Sequence, residues 1–162
     1  MNNMKWDFEF DVVVVGSGNG ALTAALCSHD GGAKTLVIEK SDQFGGTSAT
    51  SGGGVWIPNN RYAKAENVDD SDQDARNYIN SVSPEGMIKD ELVETYLAEG
   101  PRMIDYLHEN SQVKYRNLAH YPDYFPDNSG GKEGNRSMEP EPIFGTELGD
   151  DLSKLREQHP QT

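Results

Sequence analysis

Four consecutive valines that run straight into a glycine turn constrain this chain more than any other feature. Val12-Val13-Val14-Val15 is β-branched without polar alternation, which predicts a short strand of a parallel sheet covered on both faces. Gly16-Ser17-Gly18-Asn19-Gly20-Ala21 follows at once. Gly16 permits a tight turn out of the strand, Gly18 leaves room for backbone N–H groups to approach a pyrophosphate, and Ala21 is the small residue that keeps helix against strand in a G-x-G-x-x-G/A pattern. A helix is predicted over about Asn19 to His29, its unpaired N–H groups and positive dipole end facing the ligand. Thr35-Leu36-Val37-Ile38 reads as a second parallel strand, and Glu39 at its carboxyl end stands where a carboxylate accepts ribose hydroxyls. That acid argues against a cofactor phosphorylated at the 2′ oxygen, because two anions would share one small site. Together these parts predict a βαβ unit that holds a dinucleotide.

The next stretch, Phe44 to Pro58, is dominated by small residues. A flexible linker has that composition, but Phe44 at one end and Trp56-Ile57-Pro58 at the other pin it. An ordered loop wrapping a ligand is the favoured reading. Thr47, Ser48, Thr50, Ser51 and the earlier Ser41 supply hydroxyl donors beside glycines that allow close backbone approach.

With 162 residues the chain has the length of one domain, yet only 35% of it is hydrophobic, and the final third is poor in core-forming residues. A net charge of −13 without any Lys/Arg cluster excludes nucleic acid as a natural partner. Cys27 is the only cysteine, so no internal disulfide can form and a reducing, cytoplasmic setting is expected, with Cys27 as small core filling. No secretory signal and no membrane-spanning segment can be read, since the valine run is far too short. The four histidines, His29, His108, His120 and His159, lack metal-ligand spacing.

Further along, Ser71 is placed to cap a helix with Asp72 and Asp74 in its first turn and Tyr78, Ile79 and Val82 as its apolar stripe. Ser83-Pro84-Glu85-Gly86 breaks it. A second helix carries Ile88, Leu92, Val93, Tyr96 and Leu97, and Gly100-Pro101 is expected to end it and start a third, with Met103, Ile104 and Leu107 inward. Val113 to Arg116 reads as a short strand. Prolines at 122, 126, 140 and 142 forbid long regular structure thereafter. Tyr121, Tyr124 and Phe125 on that proline-rich loop either fill a gap between domains or offer a surface to a flat substrate. Three segments result: 1–58 as the βαβ unit and small-residue loop, 59–118 as helical, and 119–162 as an irregular loop and C-terminal tail.

The stretches V-V-V-G-S-G-N-G-A-L-T-A-A-L, V-I-E-K and F-G-G-T-S-A-T-S-G-G-G-V-W-I-P together resemble the N-terminal FAD-binding segment of the fumarate reductase/succinate dehydrogenase flavoprotein superfamily, and within it the 3-ketosteroid Δ1-dehydrogenases. The resemblance implies an α/β fold: the N-terminal part of a Rossmann-like FAD-binding domain, with a helical insertion and an irregular Pro/Gly-rich C-terminal third. It also implies FAD held by Gly16, Ser17, Gly18, Asn19, Gly20 and Ala21, then Glu39, Lys40 and Ser41, then Gly46, Thr47, Ser48, Ser51, Gly52, Gly53 and Gly54. No histidine sits in a motif for covalent flavin attachment, so noncovalent binding is implied. Y-P-D-Y followed by G-R-S-M-E-P is similar to the Δ1-dehydrogenase pattern, which assigns Tyr124 to the active site as assistant to the base and Tyr121 to the steroid pocket. A tyrosine of ordinary pKa is a poor base at neutral pH, and the partner tyrosine of that family has no counterpart in this chain.

The implied activity is dehydrogenation of a 3-ketosteroid or similar enone-forming substrate, by proton abstraction and hydride transfer to flavin N5, with a downstream electron acceptor of unassigned identity. The family's members are several hundred residues longer, so the chain reads as an N-terminal fragment, inactive and weak in FAD retention alone, its residues from Asp150 onward dangling. Two alternatives remain open: a nucleotide-binding fragment without catalysis, and a related flavoprotein acting on another substrate such as a dicarboxylate. The dicarboxylate reading calls for arginines, and Arg102, Arg116 and Arg136 show too little pattern to argue one.

Overall fold

Strands β1 (Val12–Val15) and β2 (Thr35–Ile38) pair in parallel from Val12↔Thr35 to Val15↔Ile38, with α1 (Asn19–Asp30) as the crossover. The computed structural model describes residues 6–159. α1 packs on both strands, as a βαβ crossover must. Val14 is buried, whereas Val13 and Val15 are 52% and 77% exposed. The expectation that the valine run is covered on both faces is therefore not met among the described residues: the sheet has two strands, and the described residues cover only one side of β1. For the same reason Cys27 is exposed instead of filling a core, and no residue of α1 is fully buried.

After β2 the chain turns through Glu39 and Ser41 into α2 (Gly46–Thr50), a short helix entered at Gly45 with φ of 106°, a conformation that glycine alone adopts freely. A Cβ at Gly45 would stand 2.6 Å from that of Ala49. The small-residue stretch is thus ordered. The chain up to Gly52 forms one compact unit with the segment from Ile143 onward, and Gly53–Pro142 forms another.

The segment expected to dangle instead docks. A 3-10 helix, Gly145–Lys154, bends at Gly149 and delivers Leu155 to a parallel bridge with Phe44. The Phe44 N–H donates to the Lys154 carbonyl at 2.8 Å, and the Arg156 N–H to the Phe44 carbonyl at 2.9 Å. Phe44 would otherwise carry a partly buried backbone with both polar groups unpaired.

In the second unit, β3 (Val55–Trp56) is followed by α3 (Arg61–Ala65), α4 (Asp72–Val82), α5 (Asp90–Asn110), β4 (Tyr115–Asn117) and β5 (Ser137–Pro140). The strands form an antiparallel sheet of order β3-β5-β4. Asn60 caps α3 by accepting the Tyr62 and Ala63 N–H groups, and Ser71 caps α4 through the Asp74 N–H at 3.0 Å. α5 runs unbroken for 21 residues with Pro101 inside it. The expected break is absent because Val93, Leu97, Gly100, Ile104 and Leu107 are all buried and stay in phase across the proline. Buried apolar area on that stripe offsets a proline cost of about 3 kcal/mol. One core joins Ile57, Ile104, Tyr115 and Met138; another joins Ala75, Val93 and Leu97. No described helix is long and apolar enough to cross a membrane.

Candidate cofactor and substrate site

Gly16 leaves β1 with φ of +99°, the left-handed turn that the motif requires. α1 then begins without a side-chain cap of its own and with no acid in its first turn; the Asn19 N–H is met from elsewhere, by Ser48 Oγ at 3.0 Å. Its N-terminal end therefore keeps donors and positive dipole for an anion. Ser17 is buried and joins the parts of the turn: its hydroxyl donates to Glu39 Oε2 at 2.5 Å and accepts the Gly45 N–H at 3.0 Å. Glu39 Oε1 accepts the Ser41 N–H at 3.1 Å. The Ser17 hydroxyl, and after it the Ser41 N–H, hold the Glu39 carboxyl below its ordinary pKa.

Because that pKa is depressed, the Glu39 contribution to folding is present above the ordinary carboxylate range and is lost as pH falls through the lowered value. Ser17→Ala is expected to move the Glu39 midpoint upward, read by carboxyl carbon NMR. An unmoved midpoint would mean that the Ser41 N–H suffices.

Gly16, Ser17, Gly18, Asn19, Glu39, Ser41, Gly46 and Ser48 converge within the first unit. A Cβ at Gly18 would lie 3.5 Å from Ser48 Oγ, and one at Gly46 would lie 3.6 Å from the Gly18 backbone, so glycine at both positions keeps the cradle open. Ala21 is half-buried on α1, while Gly20, Lys40, Thr47, Ser51 and Gly52 are exposed around it. Gly53 and Gly54 belong to the second unit, where a Cβ at Gly53 would meet Pro140 and one at Gly54 would approach the Met138 carbonyl. Gly45, which enters α2 with φ of 106°, is not among the residues the sequence points to. The doubled glycine after Phe44 was its signal.

The second unit holds a cavity of about 380 Å³ lined by Trp56, Tyr78, Ile79, Val82, Ile88 and the 121–125 loop. Tyr121 and Tyr124, 49% and 83% exposed, are both part of that lining. Asp123 between them is buried and fully engaged: Oδ1 accepts the Trp56 indole N–H at 2.6 Å, and Oδ2 accepts Arg136 Nη1 at 2.8 Å and the Lys132 N–H at 3.0 Å. Arg136 is 1% exposed. It also forks onto Asp70 through Nε and Nη2, at 3.1 and 2.7 Å, and its guanidinium lies 5.5 Å from the Trp56 ring centroid and 5.8 Å from that of Tyr78. The sequence gives Asp123 no role, Arg136 too little pattern for one and Trp56 only that of pinning the small-residue loop, because partners this far apart leave no spacing signal.

The donor set fits a nucleotide with a diphosphate: a glycine turn, an uncapped helix start, and an ionised carboxylate for ribose hydroxyls. Residues 11–161 match the FAD binding domain family. The chain belongs to that family. FAD is the cofactor that FAD binding domains hold, and this one shares 42% identity over 91% of its length with a 3-oxosteroid 1-dehydrogenase of Mycolicibacterium smegmatis, spanning 26% of that relative. A 4-oxocyclohexanecarboxylate 2-dehydrogenase of Sinomonas cyclohexanicum is 39% identical over 82% of the chain, which spans 23% of it. The crystal structure of 3-ketosteroid Δ1-dehydrogenase from Sterolibacterium denitrificans, in complex with 1,4-androstadiene-3,17-dione, superposes with a TM-score of 0.86 at 41% identity, over 93% of this chain and 26% of that one. This FAD binding domain chain thus spans about a quarter of the length of these relatives.

Proposed function

We propose that the chain is the FAD-binding portion of a flavin-dependent dehydrogenase that acts on a neutral ring ketone of the 3-ketosteroid type. The observation that supports this most is the cavity under Tyr121 and Tyr124, whose only ionisable group other than the tyrosines is a carboxylate already saturated by three donors. An apolar, flat and uncharged ligand suits such a lining. The three arginines weighed for a dicarboxylate already pair with carboxylates: Arg102 with Glu99, Arg116 with Glu139, and Arg136 with Asp70 and Asp123.

The residues from Gly16 to Ala21, with Glu39, Lys40, Ser41, Gly46, Thr47, Ser48, Ser51, Gly52, Gly53 and Gly54, hold FAD noncovalently. The α1 N-terminus takes the diphosphate and Glu39 the ribose hydroxyls. Bound FAD supplies the two-electron oxidant. Tyr124 assists the base that abstracts the proton beside the ketone-conjugated carbon. Tyr121 contributes a ring face to the steroid pocket, and the setting is cytoplasmic.

The test is anaerobic reduction of the whole gene product. Flavin absorbance bleached by a 3-ketosteroid supports the reading, and a colourless protein that stays colourless with excess FAD overturns it. Bleaching by 4-oxocyclohexanecarboxylate alone would favour a second reading, the small ring-ketone chemistry of the Sinomonas relative. Tyr124→Phe is expected to slow reduction by roughly 10²-fold without releasing flavin; an unchanged rate removes Tyr124 from the mechanism.

A further inference from the structure

Arg61, Arg76, Arg102, Arg116 and Arg136 each hold a carboxylate. Arg156 alone among the chain's arginines has none within the described residues. Its Nε is buried without a partner, and Nη2 reaches only Ser41 Oγ, at 3.4 Å. A guanidinium carries five donors in a rigid fork that suits carboxylate or phosphate. On a chain of net charge −13, acidic side chains are plentiful, so a cation left without one stands ready for a different anion.

Its position says which anion. The Arg156 N–H is bonded to the Phe44 carbonyl, and the next residue, Gly45, donates to the Ser17 hydroxyl within the glycine turn. At its other end the guanidinium meets Ser41, whose N–H holds Glu39. Arg156 therefore borders the stretch that joins the ribose-binding acid to the phosphate-binding turn. We propose that Arg156 is a further cofactor-binding residue, donating its free guanidinium N–H groups to a phosphate of the adenine nucleotide half of FAD.

This rests on the FAD reading above, and the titration separates the two. Calorimetric titrations of the 162-residue chain with ADP and with adenosine, carried to millimolar ligand, compare the parent with Arg156→Gln and Arg156→Lys, each checked for native circular dichroism. Arg156→Gln is expected to weaken ADP about tenfold, the scale of one charge-assisted phosphate contact, and to leave adenosine unchanged. Arg156→Lys keeps the charge and should restore most of the loss. Equal ADP affinity in the Gln variant overturns the inference and leaves the FAD reading standing. Equal loss for ADP and adenosine also overturns it, as a structural effect. Failure of the parent chain to bind ADP at millimolar ligand also overturns the inference, whereas the FAD reading stands or falls on the flavin content of the whole gene product.

Discussion

Replacing Arg136 by methionine is expected to destabilise the Gly53–Pro142 unit by about 3–5 kcal/mol, the cost of breaking a buried ion cluster by removing one partner. The side chain is 1% exposed, and Asp70 and Asp123 beside it are 4% and 2% exposed. Methionine fills a similar volume but leaves two carboxylates facing one another without a cation. Trp56 donates to Asp123 and lies under the guanidinium, so its fluorescence reports the event directly once Trp6 is replaced by phenylalanine. Urea unfolding of that background, with and without Arg136→Met, gives the difference. Adding Asp70→Asn and Asp123→Asn to the same chain should recover part of the loss, since neutral amides tolerate the site better than unpaired charges. A loss under about 1 kcal/mol, far below that range, would show that the carboxylates find other partners.

Gly130→Ala carries the second large effect, about 2–5 kcal/mol, combining backbone strain with overpacking. Gly130 has φ of +77°, and a Cβ there would overlap the Asp74 carbonyl and stand 2.9 Å from the Tyr78 nitrogen. Both belong to the backbone of α4, which cannot step aside as a flexible side chain can. Gly86→Ala is the control, with φ of +73° and nothing within 4 Å. It should lose only about 1–2 kcal/mol, the cost of the left-handed backbone. Equal losses in the two variants, measured by the same urea series, would show that the loop at Gly130 relaxes away from α4.

What could be read from the sequence was local. The valine strand, the glycine turn and the Ser71 cap each depend on neighbours within a few positions, and each stands where the residues placed it; of the stripe expected on α4, Tyr78 is buried but Val82 is exposed. Misread features all depend on distant partners. Pro101 reads as a break because a proline's local cost is visible, while the buried stripe that outweighs it is a tertiary fact. Cys27 reads as core filling only if both sides of the two-stranded sheet are covered. Leu155 and Arg156 give no local sign that they pair with Phe44, and Arg136 looks like any surface arginine until Asp70 and Asp123 close on it. The candidate cofactor site was legible to the extent that glycines and Glu39 follow one another in sequence. The saturation of Asp123, on which the neutral-ligand reading leans, was not.

The bridge between Phe44 and Leu155 has a consequence for how the molecule is made. The contact between Ser41 and Arg156 joins positions 115 apart, so the unit that carries the glycine turn and Glu39 is interrupted in sequence by all of Gly53–Pro142. Joining ends across so long an excursion costs on the order of 4 kcal/mol of chain entropy when the intervening segment is slack, and far less once that segment has condensed. During synthesis the inserted unit leaves the ribosome complete before Leu155 does. Its condensation should come first, with the two separated pieces closing on each other only afterwards.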